Sequence, residues 1–502
     1  MCQTRPVETP DTASHPHTLA GAVRRAALMR PDHPALITPG PDEDIRTWAE
    51  VDAAVDAAAR ALLALAGPRT GAHPPRVAIA LPNGADFAVT LFGAMRAGLV
   101  AVPVNPGYTE PEMRHVLTDA GASVLVGRTL DLPGLTCVPA DLPAGGDRPL
   151  PAVDAHDLAV LLYTSGTEGR PKGAMLTHAA LVANHEQLAG LGVVDQRSVV
   201  LLAVPMFHAY GLNSGLGSVA YHGACGVVVA EFDAAATLAA VERHRVSVLV
   251  GVPSMYAAWL AQPGVAGRLA TVEEAVCGAA PLDPDVLSRW HAETHTAIRI
   301  GYGLTETAPV LTATDPSPDA KPGSIGRAVP GVELVLRAPD ATTDDYDVDP
   351  GDPAGTEPGE IVVRGANLFS GYWPDGRGGP DADGWWGTGD IALADADGEL
   401  FLVDRVGELI IVNGFNVYPR EVERVLEEHP AVREAAAVGV PSAATGQAVR
   451  AFVVLSGPAD DLAEHCAARL ARYKRPDRIE VVDELPHSAI GKVRKTELRD
   501  AT

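Results

Sequence analysis

The sequence predicts an α/β protein: a large N-terminal domain of parallel-sheet α/β subdomains plus a small β-rich subdomain, followed by a small α+β C-terminal domain. Three observations carry this reading. Short, wholly apolar strand-like runs alternate with helical patterns over residues 76–250, as parallel strands buried between helices require. Composition then turns rich in Pro, Asp, Gly and Thr across 316–358, and the strand-like runs beside it are short and alternating. After Asp404-Arg405 a strand–helix pattern restarts as a compact unit. At 502 residues the chain is also too long for a single hydrophobic core.

In chain order, residues 1–16 read as a disordered tail, and Thr18 to Ala66 as helical and Ala-rich, broken by a turn at Arg30-Pro31-Asp32-His33-Pro34. Arg76–Leu81 reads as a strand, followed by a helix that runs to Ala97 and stops at Gly98. Further strands are expected at Val100–Val104, Ser123–Val126, Leu158–Leu162, Val199–Val204, Cys225–Val229 and Val246–Val250. A helical pattern begins near His178. Val332–Leu336 and Glu360–Val363 supply the β-rich subdomain. The C-terminal unit reads as strand Leu409–Val412, helix Pro419–Glu428, strands Ala435–Val438 and Ala451–Leu455, helix Leu462–Arg472 and two closing strands.

Composition narrows the class. With 47% hydrophobic and 21% charged residues this is ordinary globular material. A net charge of −25 argues against a nucleic-acid partner. Cys2, Cys137, Cys225, Cys277 and Cys466 show no paired spacing, so neither a disulfide framework nor a zinc site is expected, and a reducing cytoplasm fits. No apolar signal segment is visible at the N-terminus. Ser198–Ala230 lacks Asp, Glu, Lys and Arg and is long enough to span a bilayer, but Pro205, His208, Asn213, His222 and five glycines break it. It reads as buried α/β core around a site, not as a membrane span.

The most informative stretch is Tyr163-Thr164-Ser165-Gly166-Thr167-Glu168-Gly169-Arg170-Pro171-Lys172-Gly173. It leaves the buried strand at Leu158–Leu162. Glycines let backbone N–H groups turn toward an anion, hydroxyls add donors, and cations offset phosphate charge. The spacing is not that of a Walker A loop, whose lysine follows a glycine and precedes Ser or Thr.

Five further segments carry chemistry-bearing residues at turns. Val204–His208 ends a strand on a histidine, and Cys277-Gly278-Ala279-Ala280-Pro281 is a small-residue turn open to a flat ligand. Gly301-Tyr302-Gly303-Leu304-Thr305-Glu306 groups an aromatic ring, a hydroxyl and a carboxylate. Trp386-Gly387-Thr388-Gly389-Asp390 places a carboxylate after a turn, and Gly491-Lys492 lies near the end. Singly, each has an ordinary structural explanation.

Together, in this order, they resemble the adenylate-forming superfamily, which includes acyl-CoA synthetases, luciferases and carrier-loading adenylation domains. The resemblance runs from about Thr18 to Leu498 and includes Asp404-Arg405. It implies an acid–thiol ligase that joins a carboxylic acid to ATP, releases pyrophosphate and passes the acyl group to coenzyme A. It implies binding of the β- and γ-phosphates by the 163–173 loop, with Thr164, Ser165, Thr167 and Lys172 as donors and Gly166 and Gly169 shaping the backbone. Glu306 would bind Mg²⁺, Thr305 would contact the α-phosphate, and Tyr302 would stack on adenine, with the Gly278–Ala280 backbone facing its edge and Gly303 also among the nucleotide-binding residues. Asp390 and Arg405 would hold the ribose. Lys492 would bridge the acyl carboxylate and the α-phosphate, and His208 would stand where the acyl group meets the thiol channel.

The resemblance also implies an AMP-binding domain over 17–403, a hinge over 404–407 and a mobile domain over 408–502 that rotates between the two half-reactions. The pivot is Gly407, where relatives mostly carry lysine or aspartate. Gly414, Phe415 and Asn416 match the segment lining the pantetheine tunnel. Arg469, Arg472, Lys474, Arg475 and Arg478 form a basic cluster that would suit CoA phosphates or a solvated helix end. A carrier-protein thiol or another non-CoA acceptor is the alternative. A non-catalytic adenylate-binding protein is the distant one, countered by retention of Glu306 and Lys492. A monomer or homodimer is expected. Candidate pocket residues (Ala209, Tyr210, Gly211, Asn213, Leu304 and Pro309 among them) are mostly small or apolar. They suit an uncharged acyl tail better than a dicarboxylate, which would call for a buried arginine.

Overall fold

A computed structural model describes residues 16–68, 73–164, 171–317, 320–337, 357–405, 408, 410–412, 415–442, 446–470, 472–488 and 491–500. Ser165, Gly166, Thr167, Gly169, Gly407 and Gly414 lie outside these, as do the side chains of Arg405, Phe415 and Asn416. The chain divides into two compact units, the first comprising 1–162, 175–232 and 243–248, the second 163–174, 233–242 and 249–502.

The first unit holds two sheets. One has the strand order Thr136–Val138, Ala122–Val126, Arg76–Ile79, Val100–Pro103, Leu158–Thr164, Lys172–Thr177, and its first five strands pair in parallel. Its central strands, Arg76–Ile79 and Val100–Pro103, are apolar and buried on both faces, as the sequence reading requires (Val77, Ala78, Ile79, Val100, Ala101, Val102). Helices Trp48–Leu65 and Ala85–Arg96 pack closely, where a side chain at Gly93 would lie 2.8 Å from the Ala58 methyl. The second sheet joins Pro34–Thr38, Cys225–Val228 and Val199–Leu202 in parallel, with Asp44–Thr47 antiparallel at its edge.

That edge hairpin corrects the helical reading of Thr18–Ala66. The helices there are Leu19–Met29 and Trp48–Leu65, with the two strands between them. The chain turns from Asp44–Thr47 into the second helix through a capping box, in which Glu50 accepts from the Thr47 N–H at 2.8 Å and Thr47 Oγ1 accepts from the Glu50 N–H at 3.3 Å. A second correction concerns the glycine-rich loop. The helix expected to begin near His178 is His178–Ala189, but a strand that was not expected, Lys172–Thr177, precedes it.

In the second unit Glu274–Cys277 and Ile298–Gly303 run parallel. From there the sheet turns antiparallel through Val310–Ala313, Ser324–Ala328, Leu400–Arg405, Trp386–Ala394, Gly359–Gly365 and Val332–Arg337. This is the expected β-rich subdomain.

Residues beyond 408 form a five-stranded sheet with cores on both faces. Val432–Ser442 and Gly446–Leu455 pair along their length. Their alternation sends Ala435, Ala437, Val449, Ala451 and Val453 to one face, against helices Pro419–Glu427 and Leu462–Arg469. Ala436, Val438, Phe452 and Val454 go to the other face, with Leu485 and Leu498. The chain closes on strand Arg478–Val481 and helix Lys495–Asp500, where two strands were expected. Lys495 fixes that helix, with its ammonium 2.8 Å from both Glu408 and the buried Glu423.

Two buried histidines in the first unit couple its stability to pH. Burial lowers His178 to about 4 and His185 to about 3, from 6.5. Both are held neutral in the fold, so the unfolded chain binds more protons once the pH drops below 6.5, and folded stability falls on acidification until the folded values are reached. Each costs about 2 kcal/mol between pH 7 and pH 5. Denaturant unfolding at the two pH values should show that loss, and His185→Gln should reduce it.

Candidate active site

The sequence-predicted nucleotide residues that the structure describes lie in the second unit, which includes 163–174. Thr164 ends the strand before the glycine-rich loop, and Lys172 opens the strand after it. Gly278, Ala279 and Ala280 follow strand Glu274–Cys277, whose Cys277 is paired in register with Ile300. Ala279 sits at φ 73°, a left-handed conformation rare for a residue with a Cβ and concentrated at functional turns. Burial pushes the Cys277 thiol above its ordinary range, so it is a packing group beside this turn.

Tyr302 and Gly303 end the neighbouring strand, and Thr305–Thr307 form a single 3₁₀ turn. Gly303 is required by close approach, because a Cβ there would lie 1.7 Å from the Pro309 carbonyl oxygen. The turn is braced by Thr307, whose hydroxyl accepts from the Leu304 N–H at 3.0 Å and donates to the Pro309 carbonyl. Buried Asn367 donates to the Thr307 carbonyl at 2.7 Å.

Two nearly buried carboxylates anchor the site: Asp390 is 5% exposed and Glu306 is 7% exposed. The Tyr302 phenol donates to Asp390 Oδ2 at 2.6 Å. Asp390 lies within strand Trp386–Ala394, past Gly389 at φ 75°, and its N–H donates to Thr388 Oγ1 at 3.1 Å. Arg405 is its register partner on the adjacent strand. Glu306 accepts from the Tyr372 phenol at Oε1, 2.7 Å away. Tyr372 is thus a site residue that sequence reasoning missed. Its signal, the Gly371-Tyr372-Trp373-Pro374 turn, names no partner, since Glu306 lies 66 positions away.

The remaining candidates are placed elsewhere. His208 belongs to the first unit, where Asn83 fixes the segment before it. The Asn83 amide donates to the Val204 carbonyl at 3.0 Å and its oxygen accepts from the Met206 N–H at 2.7 Å. After His208 the chain runs into a π-helix, Tyr210–Gly217, a form concentrated at functional sites. Lys492 stands on an exposed turn of the C-terminal sheet region, where its N–H donates to Ser488 Oγ at 3.1 Å and its carbonyl accepts from the Ser488 N–H at 2.7 Å. The basic cluster is largely occupied. Lys474 pairs with Glu421 at 2.7 Å, Arg478 with Glu480 at 3.1 Å, and Arg475 donates to the Leu470 carbonyl.

Residues 23–373 match the AMP-binding enzyme family, and residues 421–492 match the AMP-binding enzyme C-terminal domain. The chain belongs to the AMP-binding enzyme family. It is 37% identical to a feruloyl-CoA synthase of Amycolatopsis sp, over 90% of this chain and 93% of the relative. It is 33% identical to a long-chain-fatty-acid–CoA ligase of Salmonella typhimurium, over 96% and 94%. ATP-bound MatB from Rhodopseudomonas palustris superimposes with a TM-score of 0.82 at 29% identity, covering 96% of this chain and 98% of that one. The o-succinylbenzoate CoA synthetase of Bacillus subtilis, solved with its acyl-adenylate, gives 0.81 at 28%, covering 96% and 98%.

The chain is an acid–thiol ligase: with ATP and Mg²⁺ it converts a carboxylic acid to an acyl-adenylate, and it transfers the acyl group to coenzyme A. Glu306 suits the cation. Among the described residues no group of three or more His, Cys, Asp or Glu is arranged to hold a metal by itself. One carboxylate supplemented by phosphate oxygens is the donor set Mg²⁺ commonly takes. Among the described residues no helix is long and apolar enough to cross a membrane.

Tyr302→Phe removes one donor from a buried carboxylate and should cost about 1.5–3 kcal/mol of folding stability, read by chemical denaturation.

Proposed function

We propose that this ligase activates a monocarboxylic acid with an uncharged, hydrophobic or aromatic tail in the cytoplasm, in two half-reactions separated by rotation of residues 408–502 about a hinge at 404–407. The observation that carries the acid class is the neutrality of the segment around His208: Ser198–Ala230 holds no Asp, Glu, Lys or Arg. Asn213 adds no charge, and it is already committed within the fold, with its oxygen 3.0 Å from His185 Nε2 and its amide donating to the Leu181 carbonyl. A second carboxylate on the substrate would find no cation in this segment. The feruloyl-CoA and long-chain relatives support the same range of acids.

In this reading the 163–173 loop and Lys172 neutralise the β- and γ-phosphates, Glu306 holds Mg²⁺ and Thr305 touches the α-phosphate. Both reactants are anions, so the rate enhancement comes from charge neutralisation and in-line alignment. Tyr302 and the Gly278–Ala280 backbone receive adenine. Asp390, an acceptor-only carboxylate with one oxygen already bonded to Tyr302, accepts from the ribose hydroxyls beside Arg405. Lys492 bridges the two reacting groups during adenylation only, and His208 borders the acyl group. Phe415, Asn416 and Gly414 line the path of the CoA thiol, and Gly407 supplies the torsional freedom for rotation.

The test is pyrophosphate release over a panel of aromatic, medium-chain, long-chain and dicarboxylic acids, with and without CoA. Turnover confined to monocarboxylic acids and raised by CoA is expected. Turnover with a dicarboxylic acid in preference to these would overturn the acid class. Lys492→Ala should lower adenylation by several orders of magnitude while retaining most of the thioester-forming rate from pre-made acyl-adenylate. Equal loss in both steps would sink the two-conformation assignment.

A further inference from the structure

Glu306 is fixed by two contacts from one distant segment. The Phe369 N–H donates to its main-chain carbonyl at 2.8 Å, and the Tyr372 phenol donates to Oε1 at 2.7 Å. The same segment grips the exit of the glycine-rich loop. Tyr372 forms an isolated antiparallel bridge with Ala174, and the Trp373 N–H donates to the Gly173 carbonyl at 2.8 Å. Lys172 Nζ lies 5.7 Å from the centroid of the Tyr372 ring, within cation–π range. The ring is itself steadied: Phe369 packs edge-on against both Tyr372 and Trp386, with centroids 5.0 and 5.1 Å away.

We propose that Tyr372 is a positioning residue for the divalent cation, orienting the Glu306 carboxylate through its hydroxyl while its ring face seats Lys172. The inference rests on Glu306 being the Mg²⁺ carboxylate. A phenol on Oε1 engages that oxygen, and Oε2 would be the one offered to the metal. Mg²⁺ demands near-octahedral geometry, so a carboxylate free to swing binds it less well. Partners that orient a ligating group typically change metal affinity 10–100-fold. Because one side chain touches both Glu306 and Lys172, cation and phosphate recognition are set in register by a single ring. The mutual orientation of the two groups then survives in the free enzyme instead of being assembled by the nucleotide.

The experiment uses the full chain with Mn²⁺ as a spectroscopic stand-in for Mg²⁺ and a non-hydrolysable ATP analogue. Mn²⁺ binding to the protein–analogue complex is followed by electron paramagnetic resonance, and analogue binding in EDTA by calorimetry. Tyr372→Phe keeps the ring face and deletes the hydroxyl. It should weaken Mn²⁺ binding about tenfold and leave metal-free nucleotide affinity unchanged. Combined with Glu306→Gln, it should add nothing to the loss caused by Glu306→Gln alone. Wild-type Mn²⁺ affinity in Tyr372→Phe, or full additivity in the double variant, overturns the proposal. If Glu306→Gln itself leaves Mn²⁺ affinity intact, the assignment of Glu306 fails and the proposal with it. That outcome is distinct from a silent Tyr372→Phe beside a defective Glu306→Gln. Should Tyr372→Phe not fold, Tyr372→His carries the test by offering a ring N–H: affinity within threefold of wild type supports the role, and a tenfold loss overturns it.

Discussion

Removing a carboxylate from water is the constraint on which this site is built. Asp390 and Glu306 are both nearly buried, and an ionised group there must be met by donors. Each is met by a tyrosine hydroxyl from another strand or turn, Tyr302 for Asp390 and Tyr372 for Glu306. The two bonds cross-link segments 88 and 66 positions apart, so the antiparallel strands, the 3₁₀ turn and the exit of the glycine-rich loop come together around the carboxylates. The surrounding bonds serve that arrangement. Asn367 and Thr307 hold the turn that carries Glu306, and Thr388 holds the strand that carries Asp390.

Much of the fold was legible because buried parallel strands have a strong local signature. Val100–Pro103, Cys225–Val228 and Leu158–Thr164 are apolar runs that cannot be satisfied on a wet surface, and each is a strand within a residue or two of its expected bounds. Lys172–Thr177 escaped notice because Lys, Gly, Ala and Met have little strand preference. Its strand state comes from its sheet neighbour, Leu158–Thr164. The edge hairpin of Pro34–Thr38 and Asp44–Thr47 was hidden for the converse reason: alanine-rich helices on either side set the apparent period. At the C-terminus, Lys495–Asp500 contains good helix formers such as Lys, Glu, Leu and Arg, but at six residues it is too short to show a helical period.

The site was legible as motifs and not as contacts. Order along the chain pointed to Tyr302, Glu306 and Asp390, but no local pattern links Tyr302 to Asp390 or Tyr372 to Glu306. Such bonds are decided by tertiary packing over sequence separations no motif spans. Asn83 is a similar case, a lone polar residue whose function in the fold, bracing the Val204–Met206 backbone, depends on a partner 121 positions away.

The region after residue 408 carries two apolar cores, one on each face of its sheet, and both are assembled wholly from its own residues. A module whose cohesion is internal can be inherited as a block. Substitutions on its outer surface alter what it docks against without touching what keeps it folded. The surface of this region can therefore diverge under selection while both of its cores are held fixed.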